Sequence, residues 1–186
     1  MRADAAIVLC AGGSRRMGRP KGLLPLEGRP LVARHVDAFR PFADRIVVVL
    51  GARAEDHARV LPADVVLAYN PDWARSHPAD SLRRAIVDAD VRGVAWVTPV
   101  DVAPARPETL EALLASGAPA VPVDHRGRDG HPVLLDEALL ARVAAGAPPG
   151  GLRALLGEAR RVPVADPWVA EDFDDPAAWR AFVSRP

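Results

Sequence analysis

The chain has 186 residues, with 24 Lys and Arg against 24 Asp and Glu, so its formal net charge is zero and bulk attraction to nucleic acid or to a membrane surface is excluded. A single cysteine rules out an intramolecular disulfide framework and a Cys-rich zinc site, and no apolar run reaches membrane-spanning length. The length suits one domain over residues 1–186, and the first residues lack a signal-peptide pattern, so a cytoplasmic location is expected.

In chain order, the apolar run Ala5–Leu9 predicts a buried first strand. A glycine-rich loop follows, then a helix over Pro30–Phe39 with proline at its first position. Further strands are expected at Arg45–Leu50, Val65–Tyr69, Val94–Thr98 and Ala120–Val123, alternating with helices at Ala54–Val60, Asp80–Asp88 and Pro107–Ala115. Near-continuous β-branched runs suit strands covered on both faces, as in a parallel sheet. The alternation reads as a doubly wound α/β domain. After Val123 the pattern changes: a turn-rich link, Asp124 to Gly130, leads into His131–Leu135, an expected antiparallel strand. Helices at Asp136–Ala145 and Leu152–Ala159, a short strand at Arg161–Val164 and a last helix at Pro176–Val183 complete the expectation.

The segment Leu9 to Lys21 carries the strongest chemical signal. Gly12, Gly13 and Gly18 let backbone N–H groups approach oxygens without Cβ clashes, while Arg15, Arg16, Arg19 and Lys21 supply positive charge. These are the requirements of a polyanion cradle. Two familiar nucleotide loops fail. Gly13 and Gly18 have P-loop spacing, but Arg19-Pro20 stands where Lys and Ser/Thr belong. Gly12-Gly13 followed by Ser14-Arg15-Arg16-Met17 does not make a dinucleotide fingerprint. In open α/β sheets ligands bind beyond the carboxyl ends of strands, where both this loop and Asp101 are expected to lie.

The pattern L-x-A-G-x-S-x-R-M-G-x-x-K resembles the signature loop of the MobA-like nucleotidyltransferases, most closely the molybdenum cofactor cytidylyltransferases. Cys10 departs from it, standing where alanine is usual. The resemblance implies a three-layer α/β/α Rossmann-like fold of the nucleotide-diphospho-sugar transferase (GT-A-like) kind, with a mainly parallel sheet. It further implies that Leu9, Ala11, Gly12, Gly13, Ser14, Arg16 and Lys21 hold an incoming nucleoside triphosphate, with Arg16, Lys21 and Asp101 catalytic.

A nucleoside triphosphate is normally handled with Mg²⁺, which takes one or two carboxylates plus substrate oxygens. Asp101, after the run Val94–Thr98, matches the family's metal-holding aspartate, although Ala103 replaces the typical proline and Pro104 follows one place later. Asp172-Phe173-Asp174-Asp175-Pro176 resembles the family's D-x-D-T-P segment. Asp175, before Pro176, reads as a helix N-cap. Asp172 and Asp174 share a side if the segment is extended. Asp172 is favoured as the second metal ligand; Asp174 in that role, or a plain acidic cluster at a helix start, are the alternatives.

Three more segments resemble the cytidylyltransferase branch. Asn70 and Ser81 would contact nucleotide from a loop and helix start that close over it, although Arg75 to Asp80 replaces a small, glycine-containing stretch. His131, in Gly130-His131-Pro132-Val133, and Arg153, in Gly150 to Leu156, would bind the acceptor. The reaction implied is nucleotidyl transfer, with CTP favoured and Mg²⁺ as cofactor, to a phosphorylated acceptor such as molybdopterin or its molybdenum form. A molybdoenzyme or cofactor-insertion protein would be the partner taking the product. The alternatives are guanylyl transfer to the same cofactor, a sugar- or alditol-phosphate acceptor, or a catalytically weak nucleotide- or cofactor-binding chaperone. The altered segments at Arg75 to Asp80 and Val102 to Pro104 keep the last reading open.

Overall fold

The computed structural model describes residues 2–146, 154 and 156–184. Strand β1 (Ala3–Cys10) leads through the glycine loop and a 3-10 turn, Lys21–Leu23, into a small hairpin of β2 (Pro25–Leu26) and β3 (Arg29–Pro30), then helix α1 (Leu31–Phe39). Next come β4 (Ala43–Leu50), α2 (Ala54–Ala58), β5 (Val66–Tyr69), α3 (Pro78–Asp88), β6 (Ala95–Pro99) and α4 (Pro107–Ser116). The chain continues with β7 (Ala120–Val123), β8 (Val133–Leu135), α5 (Glu137–Ala145), β9 (Arg160–Pro163) and α6 (Pro176–Val183).

The main sheet has seven strands in the order β5-β4-β1-β6-β8-β7-β9. The run β5-β4-β1-β6 is parallel, β8 pairs antiparallel with both β6 and β7, and β9 lies parallel to β7. The sheet is therefore mainly parallel, with β8 as its one reversed strand among those described. Side chains alternate along each strand and so feed two cores. From β1, Ala6, Val8 and Cys10 join Val36 and Phe39 of α1 and Leu110 and Leu113 of α4. Ala5 and Ile7 face the other way, onto Leu82 and Ile86 of α3 and Leu139 and Leu140 of α5. Three layers result, and each fully buried Leu, Val or Phe side chain contributes about 1.5–3 kcal/mol. A third cluster, Met17, Leu24, Leu31, Phe173 and Trp179, pins the loop region and α6 together.

Some boundaries differ from the pattern reading. Pro30 is not the first residue of α1: it pairs in β3 with Pro25 and flanks the helix, because the hairpin claims it first. Helix α2 stops at Ala58 rather than Val60, and α3 starts at Pro78, two residues early, because His77 caps it. The expected helix Leu152–Ala159 ends in a 3-10 turn, Leu156–Glu158, and most of its first turn lies outside the described residues.

The connection from β1 goes to β4 on one side, and the chain later returns to place β6 on the other. The sheet's topological switch point is thus between β1 and β6. There Leu9 stands opposite Pro99, and Cys10 opposite Leu50 at the end of β4.

Candidate active site

The glycine loop leaves β1 at this switch point and folds around Ser14. Ser14 adopts a left-handed conformation (φ 51°), and its carbonyl accepts from the N–H groups of Met17 and Gly18. Its hydroxyl accepts from the Lys21 N–H at 3.0 Å, drawing the two ends of the loop together. Gly18, at φ 73°, occupies backbone space that a side chain would strain. Gly13 permits a close approach of a different kind: a Cβ there would sit 2.6 Å from the Trp73 ring. Arg15 and Arg19 stay exposed around the loop.

Lys21 is the loop's anchor. It is only 8 % exposed, and its ammonium donates to Asp101 Oδ2 at 2.8 Å and to Asp174 Oδ1 at 2.9 Å. Burial acts to lower its pKa, yet the hydrogen bonds and charges of Asp101 and Asp174 outweigh it and raise the value above that of a free lysine. Arg16, mostly exposed, reaches Asp174 Oδ2 at 2.9 Å. The hydrogen bond from Lys21, with Arg16 assisting, holds Asp174 below the usual carboxylate range.

Asp172 behaves oppositely. It keeps solvent contact, but the protein around its carboxyl, with Asp101 and Asp174 nearby, raises its pKa despite Lys21. Backbone pairing joins the two acidic segments: Val102 bridges antiparallel to Asp172, and the Phe173 N–H donates to the Asp101 carbonyl at 2.6 Å. Phe173 turns inward to stack on Phe182, so Asp172 and Asp174 on either side of it remain toward Lys21 and Asp101.

Two clefts border these carboxylates. One, of about 200 Å³, is lined by Leu9, Ala11, Gly12, Ser14, Lys21 and Asp101, with Ser76 and Ser81 on its far side. The other, of about 550 Å³, is lined by Gly130, His131, Asp129, Arg161 and Asp172. Asn70 is buried beneath the first cleft, and its amide donates to both Ser76 and Ser81 hydroxyls at 2.9 Å. Its carbonyl oxygen accepts from the Asp72 N–H at 3.1 Å. His131 is driven by burial to a pKa of about 4 and is neutral, and its Nδ1 has no partner among the described residues. Gly130 lets this segment meet Val169, whose carbonyl accepts from the His131 N–H at 2.6 Å.

Most residues picked out from sequence therefore converge. Leu9, Ala11, Gly12, Ser14, Lys21, Ser81 and Asp101 line one cleft, His131 and Asp172 line the other, and Arg16 joins through Asp174. Gly13 faces Trp73 rather than the first cleft, and Asn70 supports that cleft from below. Arg153 lies outside the described residues. Sequence reasoning missed Ser76 and the buried His35 of α1, whose Nε2 is 3.2 Å from the Val102 carbonyl and whose pKa burial lowers to about 4. The signal for His35 was there: it interrupts an apolar stripe at helical spacing.

The carboxylates also have the chemistry of a cation site. Their oxygens are the hard donors that Mg²⁺ or Mn²⁺ prefers, and Asp172 is raised first by desolvation and then by the neighbouring Asp101 and Asp174 charges. Among the described residues no group of three or more His, Cys, Asp or Glu could hold a metal ion by itself. A cation here would complete its shell with substrate phosphate oxygens, and the residues fit that arrangement.

A family model described as MobA-like NTP transferase domain matches residues 6–163. The chain belongs to this family. It is similar to a molybdenum cofactor guanylyltransferase of Rhodobacter capsulatus, at 34 % identity over 62 % of this chain and 60 % of the relative, so it spans less than two thirds of that protein's length. It is also similar to the molybdenum cofactor cytidylyltransferase of Escherichia coli, at 25 % identity over 95 % of this chain and 93 % of that one. The solved structure of Rv0371c from Mycobacterium tuberculosis covers the whole of both chains with a TM-score of 0.82 at 24 % identity, and that protein has also been solved in complex with manganese. The α/β nucleotidyltransferase fold expected from the sequence is the fold observed.

Proposed function

We propose that this nucleotidyltransferase moves a nucleoside monophosphate, CMP by preference, from its triphosphate to a phosphorylated, molybdopterin-like acceptor, and that Mg²⁺ assists. The observation that carries the reading is the seat of Lys21: one nearly buried ammonium between Asp101 and Asp174, at the mouth of a glycine loop on the sheet's switch point. Cation, carboxylates and backbone donors thus meet where a triphosphate would lie across a divalent ion.

In this scheme the triphosphate occupies the smaller cleft, with the loop N–H groups, Arg16 and Lys21 around its oxygens. The acceptor occupies the larger cleft beside His131. An acceptor phosphate oxygen forms a bond to the α-phosphorus as the bond to the bridging oxygen breaks, and pyrophosphate leaves. No general base is required, because the acceptor phosphate is already an anion at neutral pH. Positioning and charge neutralisation supply the acceleration. Lys21 and Arg16 stabilise the charge that develops on the departing pyrophosphate. Asp101 and Asp172 would hold the Mg²⁺, which when bound would spread negative charge across the phosphates. Asp172 is preferred to Asp174 because Asp174 is already committed to two cations.

The segment Gly130 to Val133 supports the cytidylyl branch, whereas the similarity to guanylyltransferases favours GTP as the second reading. Pyrophosphate release measured with Mg²⁺, molybdopterin and each nucleoside triphosphate in turn decides between them. Turnover with CTP that drops about ten- to a thousandfold in Lys21→Ala, and falls likewise in Asp101→Asn, is the expected result. Turnover with GTP alone would replace the cytidylyl reading. Tight nucleotide binding with no pyrophosphate from any acceptor would replace the enzyme with a binding protein.

A further inference from the structure

Helix α1 turns an apolar stripe of Leu31, Val32, Val36 and Phe39 toward the sheet, and one polar side chain stands in it: His35, fully buried. Its Nε2 lies 3.2 Å from the Val102 carbonyl oxygen. A carbonyl only accepts, so Nε2 carries the proton and Nδ1 is an acceptor with no partner among the described residues. A buried acceptor left unpaired costs stability that an apolar residue at this place would not. The donated bond therefore does something that packing alone does not require.

That bond holds the loop carrying Asp101. The backbones of both Val100 and Val102, the neighbours of Asp101, face the imidazole. Val102 also bridges to Asp172, and the Asp101 carbonyl accepts from the Phe173 N–H. One short piece of backbone thus fixes Asp101 to Asp172 on one side and to α1 on the other. Ala103, which follows, brings none of the φ restriction of a proline, and Pro104 comes one place later.

We propose that His35 is a positioning residue: by donating from Nε2 to the Val102 carbonyl, it keeps Asp101 in register with Asp172, so that the two carboxylates meet a divalent cation as a preset pair. The inference rests on the reading of Asp101 and Asp172 as cation ligands. It asks nothing of the ring's charge, only of its donor and its place under the loop.

Mn²⁺ binding in the presence of CTP, followed by loss of the free-ion electron paramagnetic resonance signal, tests it without reference to turnover. His35→Leu keeps an apolar body but no donor, and is expected to weaken Mn²⁺ binding about tenfold or more, while CTP binding in EDTA stays at the wild-type level. His35→Gln, whose amide N–H donates at the end of a flexible chain, is expected to recover most of the Mn²⁺ affinity. A His35→Leu protein that binds Mn²⁺ as tightly as wild type overturns the proposal. So does a folded His35→Gln protein that loses Mn²⁺ as badly as the leucine variant, which also decides the matter if His35→Leu does not fold. Wild-type protein that binds CTP but no Mn²⁺ removes the reading of Asp101 and Asp172 beneath it. An unaffected His35→Leu beside normal wild-type binding removes the inference alone.

Discussion

Asp174 accepts from both Lys21 and Arg16, the two cations assigned to the triphosphate. On the proposed reading, a triphosphate and the Asp174 carboxylate would compete for the same positive charge. Removing the carboxylate's charge should free those cations: Asp174→Asn is expected to tighten CTP binding in metal-free buffer by about three- to tenfold, since partly exposed ion pairs are each worth up to about 1 kcal/mol. Titration calorimetry in EDTA checks this, and weaker binding would mean that Asp174 orients the cations rather than competing for them. The sequence favoured Asp172 only narrowly over Asp174, because alternation about Phe173 puts both on one side. Their separation came from partners far along the chain: Lys21 and Arg16 for Asp174, the Val102 backbone for Asp172.

At the scale of elements, the start of α3 shows how an altered segment can keep a site. His77 caps the helix, with its ring accepting from the Ala79 N–H, and Asp80 accepts from the His77 N–H to close a capping box. The capped helix brings Ser81 to the first cleft, and the amide of Asn70, at the end of β5, ties Ser81 and Ser76 together. The capping box gives this stretch a defined turn. Asn70→Ala would strip partners from two hydroxyls and the Asp72 N–H, costing about 1–3 kcal/mol. A fall of roughly 2–4 °C in Tm per kcal/mol, together with a raised KM for nucleotide, is expected from thermal unfolding and steady-state kinetics. An unchanged KM would show that Ser76 and Ser81 do not touch nucleotide. The capping pattern was hard to read beforehand, since histidine is an uncommon N-cap.

Over the whole molecule, the two clefts lie on either side of a shared carboxylate cluster, one holding Asp101 and the other Asp172. Donor and acceptor substrates would then occupy separate spaces and meet only at the reacting phosphates. His131→Ala is expected to raise the KM for the acceptor about tenfold while the Kd for CTP stays constant, as follows when one binding contact worth roughly 1.4 kcal/mol is lost in one cleft. Equal losses for both substrates would show that the clefts are not independent. Neutral overall charge suits this design, because the positive charge proposed to grip phosphate is local to one loop and is balanced by acidic neighbours in space.

The order of strands and helices was legible in the chain, because alternation between β-branched runs and amphipathic stretches is a local signal set by side-chain periodicity. The glycine loop was legible for a similar reason: its residues are contiguous, and their spacing alone separates it from a P-loop. Boundaries set by non-local partners were less so, as with Pro30, which the β2–β3 hairpin claims ahead of α1. The meeting of Lys21 with Asp101 and Asp174, 80 and 153 residues away, and the grip of His35 on the Asp101 loop, 67 residues away, carry no local signature. Burial and through-space charge depend on which strands become neighbours, so tertiary structure alone decided which aspartate was committed to a cation and which was left raised.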